Sequence, residues 1–447
     1  MIDFSKKKVA VISLGCDKNR VDTEVMLGNI EGFCRLTDDP FDAEIIIVNT
    51  CAFLEAARRE SIETALEFNA YREIGKLEKL VVTGCLPQKF IGEIFDELTE
   101  ADVFLGFKDY DLIKDALTES YEKGIRVNYV GKKDRVESAK RVVTTPLHYA
   151  YLKIADGCNN RCTYCLIPYI RGKYVSEPIE KLIKEAESLG DVSELILVAQ
   201  DVTRYGIDLY GKPVLTDLIK ALSALENVAR IRLLYCYPDM ISDELISEIK
   251  NNPKVLKYLD IPLQHADDRI LKLMNRPGRG TDYLALINRL KAEIPGIALR
   301  STFIAGFPGE DDAAFENLKN FIREAKLFNA GFFAYSREEG TPAYKLKNQI
   351  TDGVKKKRVK ELYAIQKDIS KENLAEFKGK IIDVIFDEID YERELFVGRA
   401  YFSAPEIDGK VYFTSDITAV QGEVYKVKIT KTGAYDLYGR TTDELTE

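Results

Sequence analysis

Apolar residues in this chain come in short continuous runs separated by longer stretches polar on one side. Val9–Leu14, Glu44–Val48 and Leu80–Thr83 are of strand length, and polar helical stretches such as Glu55–Asn69 lie between them. Continuous apolar strands alternating with helices predict a parallel sheet covered on both faces, here over residues 7–125. Residues 126–146 are charged and irregular and read as a linker. The rhythm then resumes with six predicted strands, Tyr151–Ala155, Leu195–Gln200, Ile231–Tyr235, Tyr258–Leu263, Ala298–Gly306 and Gly331–Tyr335. Helical segments such as Glu177–Leu189, Leu215–Leu225 and Asp311–Leu327 separate them. Six βα units imply an open or partial barrel, because a closed one needs eight. Residues 351–377 form one long charged helix that completes this 147–377 domain, and its Lys355-Lys-Lys-Arg358 run reads as a solvated face. From 378 to 445 short β-rich runs at close spacing predict a small antiparallel barrel. The fold class is therefore α/β, a Rossmann-like sheet followed by a partial (β/α)6 barrel and an OB-like β-barrel.

Composition narrows the class. With 447 residues, 46% hydrophobic and 31% charged, the chain is too long for one core and too apolar for disorder. No apolar run approaches the roughly 20 residues of a membrane span, and the lysines near the start precede no signal-peptide core. These features predict a cytoplasmic protein, where clustered cysteines bind metal rather than pair. The net charge of −9 argues against a surface devoted to nucleic acid.

Six of the eight cysteines fall in two sets. Cys158-Asn-Asn-Arg-Cys162-Thr-Tyr-Cys165 follows the first strand of the six-unit domain, at the end of the strands where barrel enzymes keep their sites. Structural zinc needs four ligands, and the nearest histidine, His148, precedes the strand. Three thiolates on a [4Fe–4S] cluster instead leave one iron open for a bound molecule. In the second set, Cys16, Cys51 and Cys85 each follow directly on a predicted buried strand. If those strands are parallel neighbours the thiols converge at one carboxyl edge, where open α/β sheets bind ligands. The alternative is three unrelated core cysteines. Cys34 and Cys236 fit neither set and read as structural. His265 ends the fourth barrel strand, where it either lines the site or packs.

These residues resemble the radical S-adenosylmethionine (SAM) methylthiotransferases over nearly the whole chain. The motif is Gly157-Cys-Asn-Asn-Arg-Cys-Thr-Tyr-Cys-Leu-Ile-Pro-Tyr-Ile-Arg-Gly172, with Phe303-Ile-Ala-Gly-Phe-Pro-Gly309 on the fifth strand. The resemblance implies that Cys158, Cys162 and Cys165 hold the SAM cluster, that Cys16, Cys51 and Cys85 hold an auxiliary cluster, and that the last barrel is a TRAM domain. It places Tyr164 beside the adenine, has the backbone at Gly306 and Phe307 approach the nucleoside, and puts Gln200 at the same site. Ser13-Leu-Gly-Cys-Asp-Lys-Asn-Arg-Val-Asp-Thr-Glu24, Gln200-Asp-Val-Thr-Arg-Tyr-Gly-Ile-Asp-Leu-Tyr-Gly211 and Pro262-Leu-Gln-His-Ala-Asp-Asp268 look like the branch that modifies ribosomal protein uS12. The tRNA branch typically reads Gly-Cys-Gln-Met-Asn in its first motif.

The implied reaction replaces a C–H bond with C–S–CH₃ on the β-carbon of a uS12 aspartate. It uses two SAM molecules and electrons from a donor such as flavodoxin or ferredoxin. That hydrogen is too weakly acidic for a general base at neutral pH, so radical chemistry is required. Lys18 and Asn19 either line the sulfur site or form a solvated turn. The segment from Lys378 holds nine Lys and Arg against fourteen Asp and Glu, a net of −5. An RNA-binding barrel should be basic, whereas an acidic one suits a basic protein partner. The alternative is the same chemistry on a tRNA adenosine.

Overall fold

In the computed structural model, residues 2–134, 136, 140–416 and 418–445 are described. The chain forms two compact units, Met1–Thr144 with Gly157–Asn159 and Cys165–Lys173, and Thr145–Asp156 with Asn160–Tyr164 and Tyr174–Glu447.

The first unit is built on a parallel sheet of β1 (Lys8–Ser13), β2 (Arg35–Leu36), β3 (Ile45–Thr50), β4 (Lys79–Gly84), β5 (Val103–Gly106) and β6 (Val127–Asn128), ordered β2-β1-β3-β4-β5-β6. Every residue of β3 is buried, as a central strand covered on both faces requires. Ile45, Ile46, Ile47 and Val48 are fully buried, each contributing about 1.5–3 kcal/mol of apolar transfer. Helices Asp17–Ile30, Glu55–Asn69, Cys85–Glu97 and Ile113–Lys123 alternate with the strands. The register pairs Ser13 with Asn49 and Thr50 with Gly84, so β1, β3 and β4 end level with one another.

Much of the stretch read as a linker is tied to this unit. Asp109 accepts the backbone N–H groups of Gly131, Lys132 and Lys133, each at 2.8 Å. Glu24 accepts the Thr144 N–H at 2.8 Å and pairs with Arg141 at 2.6 Å. Arg135 and residues 137–139 of that stretch lie outside the described residues.

The second unit holds β7 (Tyr149–Lys153), a short antiparallel ladder of β8 (Ala155–Asp156) with β9 (Val175–Ser176), and β10 (Glu194–Val198), β11 (Ile231–Leu233), β12 (Val255–Asp260), β13 (Ala298–Ala305) and β14 (Asn329–Ala334). Its main sheet is parallel and open, ordered β14-β13-β12-β11-β10-β7, as six βα units imply. Helix Asp352–Ala375 packs on this sheet, and here the solvated-face reading of residues 355–358 is corrected. Lys355 and Arg358, three positions apart on one helical face, are buried at 7% and 6% exposure. Arg358 pairs with the fully buried Glu310 at 2.8 Å. Three residues of spacing hid a packing face inside a run of charge.

The last barrel closes in the order β15 (Ile381–Asp390), β16 (Leu395–Arg399), β17 (Val411–Thr414), β19 (Leu437–Leu445) and β18 (Val424–Thr432). Four of its pairings are antiparallel; the β17–β19 pairing is parallel, where the sequence pattern predicts an antiparallel barrel throughout. The parallel pairing joins β17 to β19 with β18 between them in the chain, so no hairpin connects the two and hairpin spacing cannot announce it. The barrel is held to the open sheet by buried charge. Glu194 on β10 accepts from Arg232 at 2.6 Å and from Arg399 at 3.0 Å. Asp408 takes the Tyr258 hydroxyl at 2.7 Å and Arg300 at 3.3 Å. Among the described residues no helix is long and apolar enough to cross a membrane.

Candidate functional site

Cys16, Cys51 and Cys85 come together at the carboxyl edge of the first sheet. Cys51 and Cys85 directly follow β3 and β4, and Cys16 lies three residues beyond β1. Two glycines in the left-handed half of φ make the turns. Gly15 has φ +100°, and a Cβ there would sit 3.0 Å from Cys51 Cβ and 3.4 Å from Cys51 Sγ. Gly84 has φ +97° and packs against β3. Cys16 immediately precedes helix Asp17–Ile30, and Cys85 opens helix Cys85–Glu97. The Cys51 N–H is held by Ser61 Oγ at 3.2 Å.

The three sulfurs differ in exposure: Cys16 is exposed, Cys51 half-buried and Cys85 buried. Burial pushes the Cys85 thiol up to about 12, with the Cys16 and Cys51 charges adding to the shift and the Arg171 guanidinium opposing it. Burial likewise raises Cys51, where the Cys16 charge again contributes. Cys16 thus acts on both of the other sulfurs, and Cys51 acts on Cys85. Among the described residues no three His, Cys, Asp or Glu side chains close on a single metal ion. A cubane cluster holds its thiolates farther apart than a lone ion does, and an edge with one exposed, one half-buried and one buried thiol fits such a cluster.

Around Cys85 the first unit supplies a polar shell. Asn19, 1% exposed, donates to Leu14 O at 3.2 Å and Thr50 O at 3.0 Å, bridging the ends of β1 and β3. Cys85 Sγ lies 3.5 Å from Asn19 Oδ1 and 3.6 Å from Arg171 Nη2. Lys18 is buried at 7% exposure, so neither Lys18 nor Asn19 belongs to a solvated turn.

The Cys158–Cys165 motif is pinned at several points. In the first unit, Cys158 N–H donates to Gly172 O at 3.1 Å, and Cys165 Sγ accepts the Ile167 N–H at 3.4 Å. Gly157 has φ +76°, and a Cβ there would collide with Lys173 O at 2.1 Å, so only glycine lets the loop close on itself. In the second unit, Thr163 donates to Met274 O from its N–H at 3.0 Å and to Leu273 O from its hydroxyl at 2.8 Å. Cys162 Sγ lies 3.4 Å from the Tyr237 hydroxyl and 3.9 Å from Arg276 Nη1.

The other residues singled out by sequence lie in the second unit. The Tyr164 and Phe307 rings meet edge-on at 6.5 Å. Gln200, two residues past β10, donates to Asp156 at 3.1 Å, while its carbonyl oxygen is buried with no partner. Such an oxygen suits a ligand's donor. Gly306 has φ +76°, and the space its Cβ would fill holds the Lys355 stem at 2.3 Å. Its glycine therefore answers to the long helix, and only its backbone is offered elsewhere. His265 is fully buried: its Nδ1 accepts the Asp267 N–H at 3.0 Å, and Nε2 donates to Glu310 at 3.1 Å. Of the two roles open to a histidine at that strand end it takes packing, inside the Glu310–Arg358 network. Cys34 and Cys236 are buried, and burial raises both thiols, Cys34 to about 11. Arg171 and Arg276 went unnoticed in the sequence. Arg171 stands inside the quoted motif, but an arginine beside cysteines does not reveal which sulfur it reaches. Two cavities, of about 520 and 510 Å³, are lined by none of the six cysteines.

The Radical SAM superfamily matches residues 152–322, the uncharacterized protein family UPF0004 residues 8–106, and the TRAM domain residues 379–441. The ribosomal protein uS12 methylthiotransferase RimO of Clostridium botulinum (strain Loch Maree / Type A3) is 45% identical over 447 residues, covering 99% of this chain and 100% of that one. Its namesake in Acetivibrio thermocellus is 46% identical over 450 residues, covering 98% and 99%. Among solved structures, the radical SAM methyltransferase TsrM of Kitasatospora setae, with cobalamin and a [4Fe-4S] cluster bound, superposes with a TM-score of 0.55 at 14% identity. It covers 76% of this chain and 77% of that one, a likeness of fold alone.

Proposed function

The chain belongs to the family of ribosomal protein uS12 methylthiotransferases, and we propose that it attaches a methylthio group to the β-carbon of an aspartate of uS12. As a radical SAM enzyme it uses SAM and an iron–sulfur cluster. Our reading goes further and gives it two clusters, one on Cys158, Cys162 and Cys165 and one on Cys16, Cys51 and Cys85. When bound, the pair supplies the electron that cleaves SAM to a hydrogen-abstracting radical and the sulfur that the product receives. The observation that carries this reading is the level ending of β1, β3 and β4, which delivers three cysteines to one sheet edge in a chain alike to those relatives from end to end.

The protein's own residues supply binding and exclusion. Tyr164, backed by the fully buried Phe307 ring, offers aromatic surface for the adenine, Gly306 and Phe307 offer their backbone, and the unpartnered Gln200 oxygen is an acceptor for SAM. Arg276, buried and stacked 4.0 Å over the Tyr237 ring, brings positive charge to Cys162. A low-potential protein such as flavodoxin or ferredoxin is the electron donor in this reading. The acidic barrel recruits the basic substrate, though with fewer free charges than its sequence offers. Asp387 is spent on Arg399 and His148, Glu388 on Lys410 and Asp390 on Arg393, which leaves Glu392 and Glu394 exposed. The test is mass spectrometry of uS12 and of tRNA from cells lacking this protein. Loss of the uS12 modification with tRNA unchanged is expected; loss from tRNA alone would overturn the substrate.

A further inference from the structure

Arg171 is 3% exposed and lies six residues past Cys165, on the Cys165–Lys173 segment of the first unit. That segment is anchored there by its own apolar residues, since Leu166 and Ile170 belong to the buried core. Its short helix Ile167–Ile170 ends where Arg171 N–H donates to Ile167 O, and the side chain then turns into the unit. The guanidinium lies 4.6 Å from the Phe107 ring centroid. One of its nitrogens, Nη2, is 2.7 Å from Asp22 Oδ2, 2.6 Å from Asn19 Oδ1 and 3.6 Å from Cys85 Sγ. A guanidinium sealed from water and aimed at a sulfur acts strongly on the charge that the sulfur carries.

We propose that Arg171 is a positioning residue of the sulfur-carrying cluster: it holds Cys85 by a hydrogen bond and a positive charge that Asp22 limits, and so sets that cluster's reduction potential. The inference rests on the reading that Cys16, Cys51 and Cys85 hold this cluster. A cluster on three thiolates gains negative charge when reduced, and a donor at a ligand sulfur stabilises the reduced form. Asp22 works in the opposite sense, offsetting part of the guanidinium charge at the same place. Because Arg171 and Cys165 share one segment, the chain that brings a cysteine to the SAM cluster also brings the charge that tunes the other one.

The test uses full-length protein with Cys158, Cys162 and Cys165 changed to Ala, so that only the auxiliary cluster remains, and reads its midpoint potential by anaerobic titration with EPR detection. Arg171→Gln should move the potential to more negative values and Asp22→Asn to more positive ones. Arg171→Lys, which keeps the charge but loses the planar fork, should fall between Arg171→Gln and the parent. Opposite shifts separate tuning from mere packing, since a structural defect gives no reason for the two changes to differ in sign. If Arg171→Gln does not load, Asp22→Asn and Arg171→Lys decide. Shifts of the same sign, or none, overturn the proposal. A parent that binds no cluster overturns the ligand reading instead, and this inference with it.

Discussion

Gly84 and Asn49 stand so close that a Cβ on the glycine would lie 2.2 Å from the Asn49 side-chain oxygen and 2.6 Å from Thr50 O. The contact holds the end of β4 against β3 and fixes where Cys85 begins its helix. Gly84 has φ +97° and ψ −147°, a conformation almost closed to other residues. Gly84→Ala should therefore cost about 1–3 kcal/mol and lower the melting temperature by several degrees. It should also reduce iron loading at Cys16, Cys51 and Cys85. Calorimetry and iron assay check this, and unchanged values on both would mean the edge tolerates a side chain.

The partition of iron gives a second prediction. Wild-type protein reconstituted without oxygen should hold about eight irons, and Cys158→Ala about half of them. Changing Cys16, Cys51 and Cys85 together to Ala should preserve reductive cleavage of SAM, read as 5′-deoxyadenosine, while abolishing methylthiolation of uS12. Cys34→Ala and Cys236→Ala should leave iron unchanged. Loss of all iron from the Cys158 variant would refute two independent sites.

His265 gives a third. Its ring donates to Glu310 and accepts from the Asp267 backbone, and a glutamine amide can do both. His265→Gln should keep SAM cleavage near the wild-type rate, whereas a residue touching substrate would not allow the exchange. Arg358→Met should instead destabilise the protein by about 3–5 kcal/mol, by leaving Glu310 buried without its guanidinium. A drop of tenfold or more in 5′-deoxyadenosine for His265→Gln would move this histidine into the site.

Acid stability is the fourth. Burial alone would raise the Glu194 carboxyl, yet Arg232 and Arg399 hold it down at about 2. A depressed folded value means that the stability it confers is present above the unfolded carboxyl range, near pH 4.5, and is lost as pH falls toward about 2. Glu194→Gln should be less stable than wild type by about 3–5 kcal/mol at neutral pH, with the gap narrowing below pH 4.5. Denaturant melts across that range measure it; a gap independent of pH would show that the carboxylate's charge is not what matters.

The parts of this molecule legible in its sequence were those written in periodicity or in spacing. Runs such as Ile45–Val48 declare a buried parallel strand, and a cysteine just after each of three such runs declares a common edge once the strands are parallel neighbours. Charge partners were not legible, because they join residues with no fixed spacing. Arg358 reads as one of four basic residues until Glu310 is found beneath it. Arg171 reads as part of a cysteine loop until Asp22, 149 residues away in sequence, turns out to hold it. His265 could not be settled by position, since a strand end serves a site and a core equally well. Gly306 reads in the sequence as room for a nucleoside, and the room on its Cβ side is taken by Lys355, which no local pattern connects to it.

The bond between Glu194 and Arg399 spans 205 residues of chain, and that span is also an interval of time. During synthesis the open sheet emerges first, with Glu194 and Arg232 already able to pair, and the second guanidinium arrives only when the last barrel is being made. Until then the nascent sheet carries a carboxylate only partly matched, and a chain broken off before residue 399 would keep that defect permanently. The arrangement makes the barrel a lock that only a completed chain can turn, so truncated copies should be the ones that chaperones and proteases recognise.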